Sequence, residues 1–245
     1  MPATPAWPPK SLPRLFVRQS LNGGASVELE PGQANYLGNV MRLKPGDEAL
    51  VFDGASGEWL ARVSAVGRKH MTLAVERRTG EQESVPDLWL AFAPVKRAQT
   101  DWLVEKATEL GIARLLPVTT RRTIVERVKL ERLRSIAVEA AEQCNRTSVP
   151  TIDEPQSLDS FLKMHAGRTL YFADEGGGPP AAEAFKPGPA TILIGPEGGF
   201  TKEERAMIRA EPDATAVSLG PRILRAETAA LAAVTTWMAL AGDWR

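Results

Sequence analysis

Two strand–break–helix units constrain this chain more than any other feature. In the first, Thr191-Ile192-Leu193-Ile194 runs into Gly195-Pro196-Glu197-Gly198-Gly199-Phe200. Three consecutive branched apolar residues read as a strand buried on both faces, the kind found in parallel sheets covered by helices. Gly195-Pro196 ends it. Thr201, with Glu204 three residues on, has the spacing of a capping box, so a helix is expected from about Lys202. The second unit repeats the grammar: Ala216-Val217-Ser218-Leu219 as strand, Gly220-Pro221 as break, and a helix from about Ala226 to Ala241. The two breaks are 25 residues apart, which suits a parallel crossover. Both loops should then emerge at one carboxyl edge of one sheet, where open α/β folds place ligands.

Upstream, strands alternate with helices from Asp87 onward. Leu88–Ala93 reads as a strand, Gln99–Leu110 as a helix stopped by Gly111, Ala113–Val118 as a strand, Leu130–Gln143 as a helix and Thr169–Ala173 as a strand. On the Gln99–Leu110 helix, Trp102, Leu103, Ala107 and Leu110 have the spacing of a buried stripe, with Asp101, Glu105 and Glu109 left to water. Before Asp87 the text is different. Short β-like runs (Leu15–Val17, Ser26–Leu29, Glu48–Phe52, Trp59–Val63, Met71–Val75) are separated by glycine turns, with one helix near Gln33–Met41. The expected organisation is an N-terminal extension over 1–13, a small β-barrel over 14–80, a polar linker over 81–86 and an α/β domain over 87–245.

Composition excludes several function classes. No apolar run in the 245 residues is long enough to cross a bilayer, and Met1–Pro13 lacks the apolar segment of a signal peptide, so a cytoplasmic location is expected. The single cysteine, Cys144, excludes an intrachain disulfide, and with His70 and His165 scattered there is no metal-ligand cluster; no metal is expected. Lys and Arg total 30 against 30 Asp and Glu, which argues against a wholly basic nucleic-acid binder. Between Lys96 and Arg134, however, ten basic side chains face five acidic ones, including Lys96-Arg97 and Arg121-Arg122. A local basic face and an ordinary solvated surface both fit that pattern.

The glycine loop matches neither the phosphate-binding G-x-x-x-x-G-K-[ST] nor the dinucleotide G-x-G-x-x-G, which disfavours a nucleoside triphosphate. Its glycines instead allow backbone groups close to a planar ligand. Arg222, Arg225 and Glu227 beside the second break could hold polar atoms of a ligand, or could simply cap the helix and pair with Glu197 or each other.

Taken together, Gly195-Pro196-Glu197-Gly198-Gly199-Phe200 and Leu219-Gly220-Pro221-Arg222-Ile223-Leu224-Arg225-Ala226-Glu227-Thr228-Ala229 resemble the paired signature of the RsmE-type ribosomal RNA methyltransferases of the SPOUT superfamily. The likeness extends through Val40–Asp47, Lys106–Gly111, Pro117–Thr119 and Glu142–Arg146. It implies an α/β fold with an N-terminal PUA-like barrel, followed by a SPOUT domain whose C-terminal segment threads a trefoil knot. It also implies a homodimer, S-adenosylmethionine as methyl donor, and N3 of a uridine near the 3′ end of 16S ribosomal RNA, in the small subunit, as target. Carried onto this sequence, the donor-contact positions are Leu170, Phe172, Ala173, Ile194, Gly195, Pro196, Glu197, Gly198, Gly199, Leu219, Gly220, Ile223, Leu224, Arg225 and Thr228. Arg14, Arg42, Lys44, Lys96, Arg121 and Arg122 are the residues expected to grip RNA.

The chemistry implied is narrow. Uracil N3 carries a proton that must leave before or during attack, so the site needs a base or positive charge that stabilises the resulting anion. Arg225 is the candidate for charge stabilisation, and Glu197 or Glu227 for orienting the base or accepting the proton. Transfer from a sulfonium to nitrogen needs no covalent intermediate, so Cys144 reads as packing rather than as a nucleophile. The rival readings are another SPOUT activity, such as ribose 2′-O methylation of transfer RNA, and a non-catalytic RNA-binding assembly factor.

Overall fold

The computed structural model of the chain describes residues 12–68, 70–125, 127–165 and 167–244; most of the expected N-terminal extension lies outside them. The chain divides into two compact units, one comprising Met1–Glu83 with Asn145–Ser148, the other Ser84–Cys144 with Val149–Arg245.

In the first unit, β1 (Arg14–Phe16), β2 (Ser26–Glu28), β3 (Glu48–Phe52), β4 (Glu58–Val66) and β5 (Met71–Gly80) form a five-stranded sheet in the order β1-β3-β4-β5-β2. The β1–β3 pair is parallel and the others antiparallel. Alternation along the strands turns Leu15, Val27, Val51, Ala61, Val63, Leu73 and Val75 into one apolar cluster. The helix expected near Gln33–Met41 divides into α1 (Pro31–Asn35) and a π-helical turn, Tyr36–Val40. Glu83, read as linker, is held in place: its carboxylate accepts from Arg146 Nε (3.2 Å) and from the Ser148 backbone (2.9 Å), which ties the segment Asn145–Ser148 to this unit.

The second unit is built on parallel strands β6 (Leu88–Phe92), β7 (Arg114–Thr119), β8 (Thr151–Ile152), β9 (Gln156–Ser157), β10 (Thr169–Ala173), β11 (Ala190–Ile194) and β12 (Ala214–Val217). Their order is β12-β10-β11-β6-β7-β8, with β9 on the far end of β7. The helices are α2 (Arg97–Glu109), α3 (Leu130–Gln143), α4 (Leu158–Met164), α5 (Ala181–Ala184), α6 (Lys202–Ala210) and α7 (Ala226–Leu240). Ile192 and Ile194 face one apolar layer, with Leu90, Phe92, Tyr171 and Trp237; Leu193 faces the other, with Phe161, Phe172 and Phe200. The continuous apolar run of β11 is thus explained by burial on both sides.

The buried stripe of α2 differs from expectation. Thr100, Leu103, Val104, Ala107 and Thr108 are buried, while Trp102 is 43% exposed. Burial follows the row that includes Val104 and Thr108, and Trp102 lies one position off it. Asp101 does not face water freely either, since Arg132 of α3 donates to it at 2.7 Å.

At the opposite edge of the sheet from the glycine loops, Arg168 donates to both carboxylate oxygens of Asp87 (2.7 and 2.9 Å) and lies 3.7 Å over the Trp89 ring. These hydrogen bonds hold the Asp87 carboxyl below its ordinary value of 3.8. A depressed carboxylate pKa adds stability above the unfolded-state value, and that contribution is lost as pH falls through the folded-state value. Asp87→Asn is therefore expected to make the acid loss of stability shallower from about pH 5 downward, while leaving the slope near neutral pH unchanged. Solvent screening limits the effect to about 1 kcal/mol or less. Urea titrations across pH would read it.

Candidate active site

Three parallel strands end together: β10 at Ala173, β11 at Ile194 and β12 at Val217. The loops that follow them enclose a cavity of about 380 Å³, a size that suits a small-molecule ligand. Ile194, Val217, Leu219, Leu224, Ala226 and Ala229 supply apolar wall; Asp174, Glu175, Glu197, Arg205 and Arg222 supply charge.

Local chemistry fixes each loop. In the glycine loop, Gly199 has φ +66°, and a Cβ there would come within 3.0 Å of Glu175 Oε1. Only glycine fits that approach without displacing the carboxylate. Thr201 then caps α6 as expected, its Oγ accepting from Glu204 N (3.2 Å) while the Glu204 carboxylate accepts from Thr201 N (2.8 Å). Glu204 also accepts from Arg121 N at 2.7 Å and is almost fully buried. It thereby locks the start of α6 to the loop after β7, and leaving either backbone N–H unpaired would cost about 1–3 kcal/mol. In the loop after β12, Gly220 has φ +112°, a conformation that side chains rarely adopt. At the end of β10, the buried Asp174 accepts from Gly176 N (2.8 Å) and Arg209 Nη2 (2.7 Å), and Arg205 bonds Glu175.

The structure gathers most of the expected donor-contact residues around this cavity. Ala173, Ile194, Gly195, Pro196, Glu197, Gly199, Leu219, Gly220, Ile223 and Leu224 line it. Leu170 and Phe172 do not: strand alternation turns both into the fully buried layer with Leu193 and Phe200, so that only Ala173, at the strand's end, reaches the cavity. Gly198 faces Arg122, which donates to its carbonyl oxygen. Arg225 is the exposed N-cap residue of α7, Thr228 is exposed, and neither lines the cavity.

Glu227, in the first turn of α7, is only 8% exposed and also lies off the cavity wall. Its Oε2 is buried with no hydrogen-bond partner among the described residues, and no ion pair there joins Glu197 or Glu227 to Arg222 or Arg225. Asp174, Glu175 and Arg205 were not anticipated. The first two follow the same strand-then-break pattern as the other loops, Ala173-Asp174-Glu175-Gly176, and were readable on that ground; Arg205, inside α6, carries no local signal.

The expected RNA-gripping set needs one correction. Arg14 is buried, pairs with Glu58 at 2.7 Å and sits 4.0 Å over the Phe52 ring, so its charge is spent inside the first unit. Arg42 and Lys44 are exposed in that unit. In the second unit Lys96, Arg121 and Arg122 are exposed on loops at the carboxyl edge of the sheet, with Arg121 3.5 Å from Glu203. Lys96 and Arg97 stand at the N-terminal end of α2, where the helix dipole disfavours cations, so structure alone does not call for them. No group of His, Cys, Asp and Glu side chains suited to a metal occurs among the described residues, and no helix there is long and apolar enough to cross a membrane.

Comparison with known proteins places this geometry. Residues 81–238 match the model of the RNA methyltransferase domain, and residues 29–76 that of the RNA methyltransferase PUA domain. A ribosomal RNA small subunit methyltransferase E from Rickettsia conorii is 30% identical over 226 residues, covering 90% of this chain and 93% of that protein. Its counterpart from Synechocystis is 34% identical, covering 88% of this chain and 74% of that one. The crystal structure of a ribosomal RNA small subunit methyltransferase E from Neisseria gonorrhoeae, bound to S-adenosyl methionine, superposes with a TM-score of 0.87 at 29% identity, covering 96% of this chain and 100% of that one. With a PUA-like domain ahead of an α/β methyltransferase domain over most of its length, the chain belongs to the ribosomal RNA small subunit methyltransferase E family of RNA methyltransferases.

Proposed function

We infer that this chain transfers a methyl group from S-adenosylmethionine to 16S ribosomal RNA, and that the acceptor is N3 of a uridine near the 3′ end, presented by the small ribosomal subunit. The observation that carries the reading is the cavity at the ends of β10, β11 and β12, two of whose walls are the loops after β11 and β12 whose sequences resemble the family's paired signature. Its chemistry suits the donor. Ile194, Leu219 and Leu224 offer apolar contact to a planar base. When bound, the donor supplies a methyl group activated by positively charged sulfur. The Neisseria relative's bound donor supports the same assignment.

Ala173, Ile194, Gly195, Pro196, Gly199, Leu219, Gly220, Ile223 and Leu224 are the residues we assign to holding the donor; Leu170 and Phe172 support them from the core, and Gly198 shapes the loop through Arg122. Glu197 lines the cavity and is exposed, which fits it to receive the N3 proton. Arg225 at the entry of α7 would stabilise negative charge spreading over the uracil oxygens, and the unpartnered Glu227 would orient that end of the site. The remaining acceleration is alignment of methyl carbon and N3.

Lys96, Arg121, Arg122, Arg42 and Lys44 would grip phosphates, so binding should weaken steeply with salt. We read the sheet of the first unit as a PUA-like barrel and the segment through β10, β11, β12 and α7 as a trefoil knot. A homodimer is favoured by apolar residues left on the surface of the second unit, Trp102 on α2 with Leu240 and Trp244 at the end of the chain. A cytoplasmic location agrees with a ribosomal substrate.

Gly220→Ala is expected to weaken donor binding about tenfold or more in calorimetry, because alanine disfavours φ +112° although its methyl group would meet open space. Donor affinity equal to wild type would detach this loop from the site. Arg225→Ala and Glu197→Gln are each expected to slow single-turnover methyl transfer by about 10²–10⁴ while sparing donor affinity. Wild-type rates in both would overturn the assigned roles.

A further inference from the structure

We propose that the π-helical turn of the first unit is a stacking platform for an unpaired base of the RNA substrate, with Tyr36 as the aromatic surface and Arg42 and Lys44 holding the flanking phosphates. The proposal rests on the RNA methyltransferase reading above and adds to it a specific contact for the N-terminal unit.

The backbone shapes the turn. After α1, Met41 N donates to Tyr36 O at 2.9 Å, a bond spanning five residues, and Leu43 N donates to Leu37 O at 2.9 Å. Such widened turns occur frequently at functional sites. Ala34 and Leu37 are buried in the core of the unit, and Gly38 sits against Met71, where a Cβ would lie 3.5 Å from the methionine Cε. These anchors consume the inner face and leave Tyr36 (38% exposed), Val40 (62%) and Met41 (41%) pointing outward within six residues. Arg42 then adopts φ +61°, uncommon for a residue other than glycine, and sends the chain on to Lys44.

Charge selects the occupant. Among the described residues, the side chains of Arg42 and Lys44 form no ion pair, and both are exposed. Of the neighbouring carboxylates, Glu30 lies 3.2 Å from Arg18 and Glu48 pairs with Arg62 at 2.7 Å, while Asp47 accepts from the Lys44 backbone N–H at 2.8 Å. An apolar, aromatic surface edged by two free cations matches a nucleobase face between phosphates better than it matches a protein surface, which would need acidic partners for both cations. A base can present its face only where it is unpaired, so the partner is single-stranded RNA. Asn35 and Asn39, joined at 2.7 Å on the same turn, add exposed amide groups that can meet a base edge.

The test uses the full chain and a single-stranded fragment of the 16S ribosomal RNA 3′ end carrying 2-aminopurine, with the same fragment annealed to its complement as control. Wild type is expected to quench the fluorophore on the single strand and not on the duplex. Tyr36→Phe should retain both quenching and affinity. Tyr36→Ala and Tyr36→Leu should lose the quenching and bind the single strand about tenfold or more weaker, with the salt slope unchanged, because the phosphate contacts remain. The doubly substituted Arg42→Gln, Lys44→Gln chain should show a reduced salt slope. Thermal melts of the variants verify folding, and Tyr36→Leu keeps the bulk of the side chain without its π face. Single-strand affinity in Tyr36→Ala equal to wild type, or equal losses in Tyr36→Phe and Tyr36→Ala, overturns the platform. Methyl transfer by wild type to small subunits is measured alongside: its absence overturns the underlying function, whereas its presence with Tyr36-independent binding overturns the platform alone.

Discussion

The site depends on a backbone ladder. β10 lies between β11 and β12, with Tyr171 opposite Ile192 on one side and opposite Thr215 on the other. Because all three run parallel in this register, Ala173, Ile194 and Val217 finish at one edge, and the chain must make three turns within a few ångströms of one another. Shifting one strand by a residue would turn its inward side chains to the other layer and move its loop off the cavity. The glycines follow from that crowding. Gly199 allows the glycine loop to pass Glu175, and Gly220 lets the chain leave β12 with positive φ.

Two glutamates in the first turns of successive helices show how the scaffold divides labour. Glu204 in α6 is buried and satisfied, bonding the backbone of Thr201 and Arg121, so its burial costs little and it rigidifies two loops. Glu227 in α7 is also buried, yet its Oε2 has no partner among the described residues. A buried carboxylate oxygen without a partner is costly, and on that contrast rests the proposal that Glu204 serves the scaffold and Glu227 the neighbouring site.

What was legible in the sequence was local. The capping box at Thr201, the doubly buried run of β11 and the bounds of α3 and β10 all rest on neighbours within a few residues, and the structure carries them. What was illegible depended on distance along the chain. Arg14 resembles a free cation until Glu58, 44 residues on, neutralises it. Arg205 looks like any surface arginine of an amphipathic helix until Glu175, 30 residues earlier, meets it. Leu170 and Phe172 lie on the right strand but on its buried face, and the family motif gives the strand without its facing. The π-helical turn at Tyr36 was invisible because hydrophobic periodicity distinguishes helix from strand, not one helical hydrogen-bond pattern from another.

Methyl transfer to N3 of a 16S ribosomal uridine, as proposed, is read most directly by incubating the protein with labelled S-adenosylmethionine and small subunits lacking their native methylations, followed by nucleoside analysis. Label is expected in 3-methyluridine from the 3′-terminal region of the 16S molecule. Label on a ribose 2′-oxygen, or donor binding without transfer to the RNA, would contradict it.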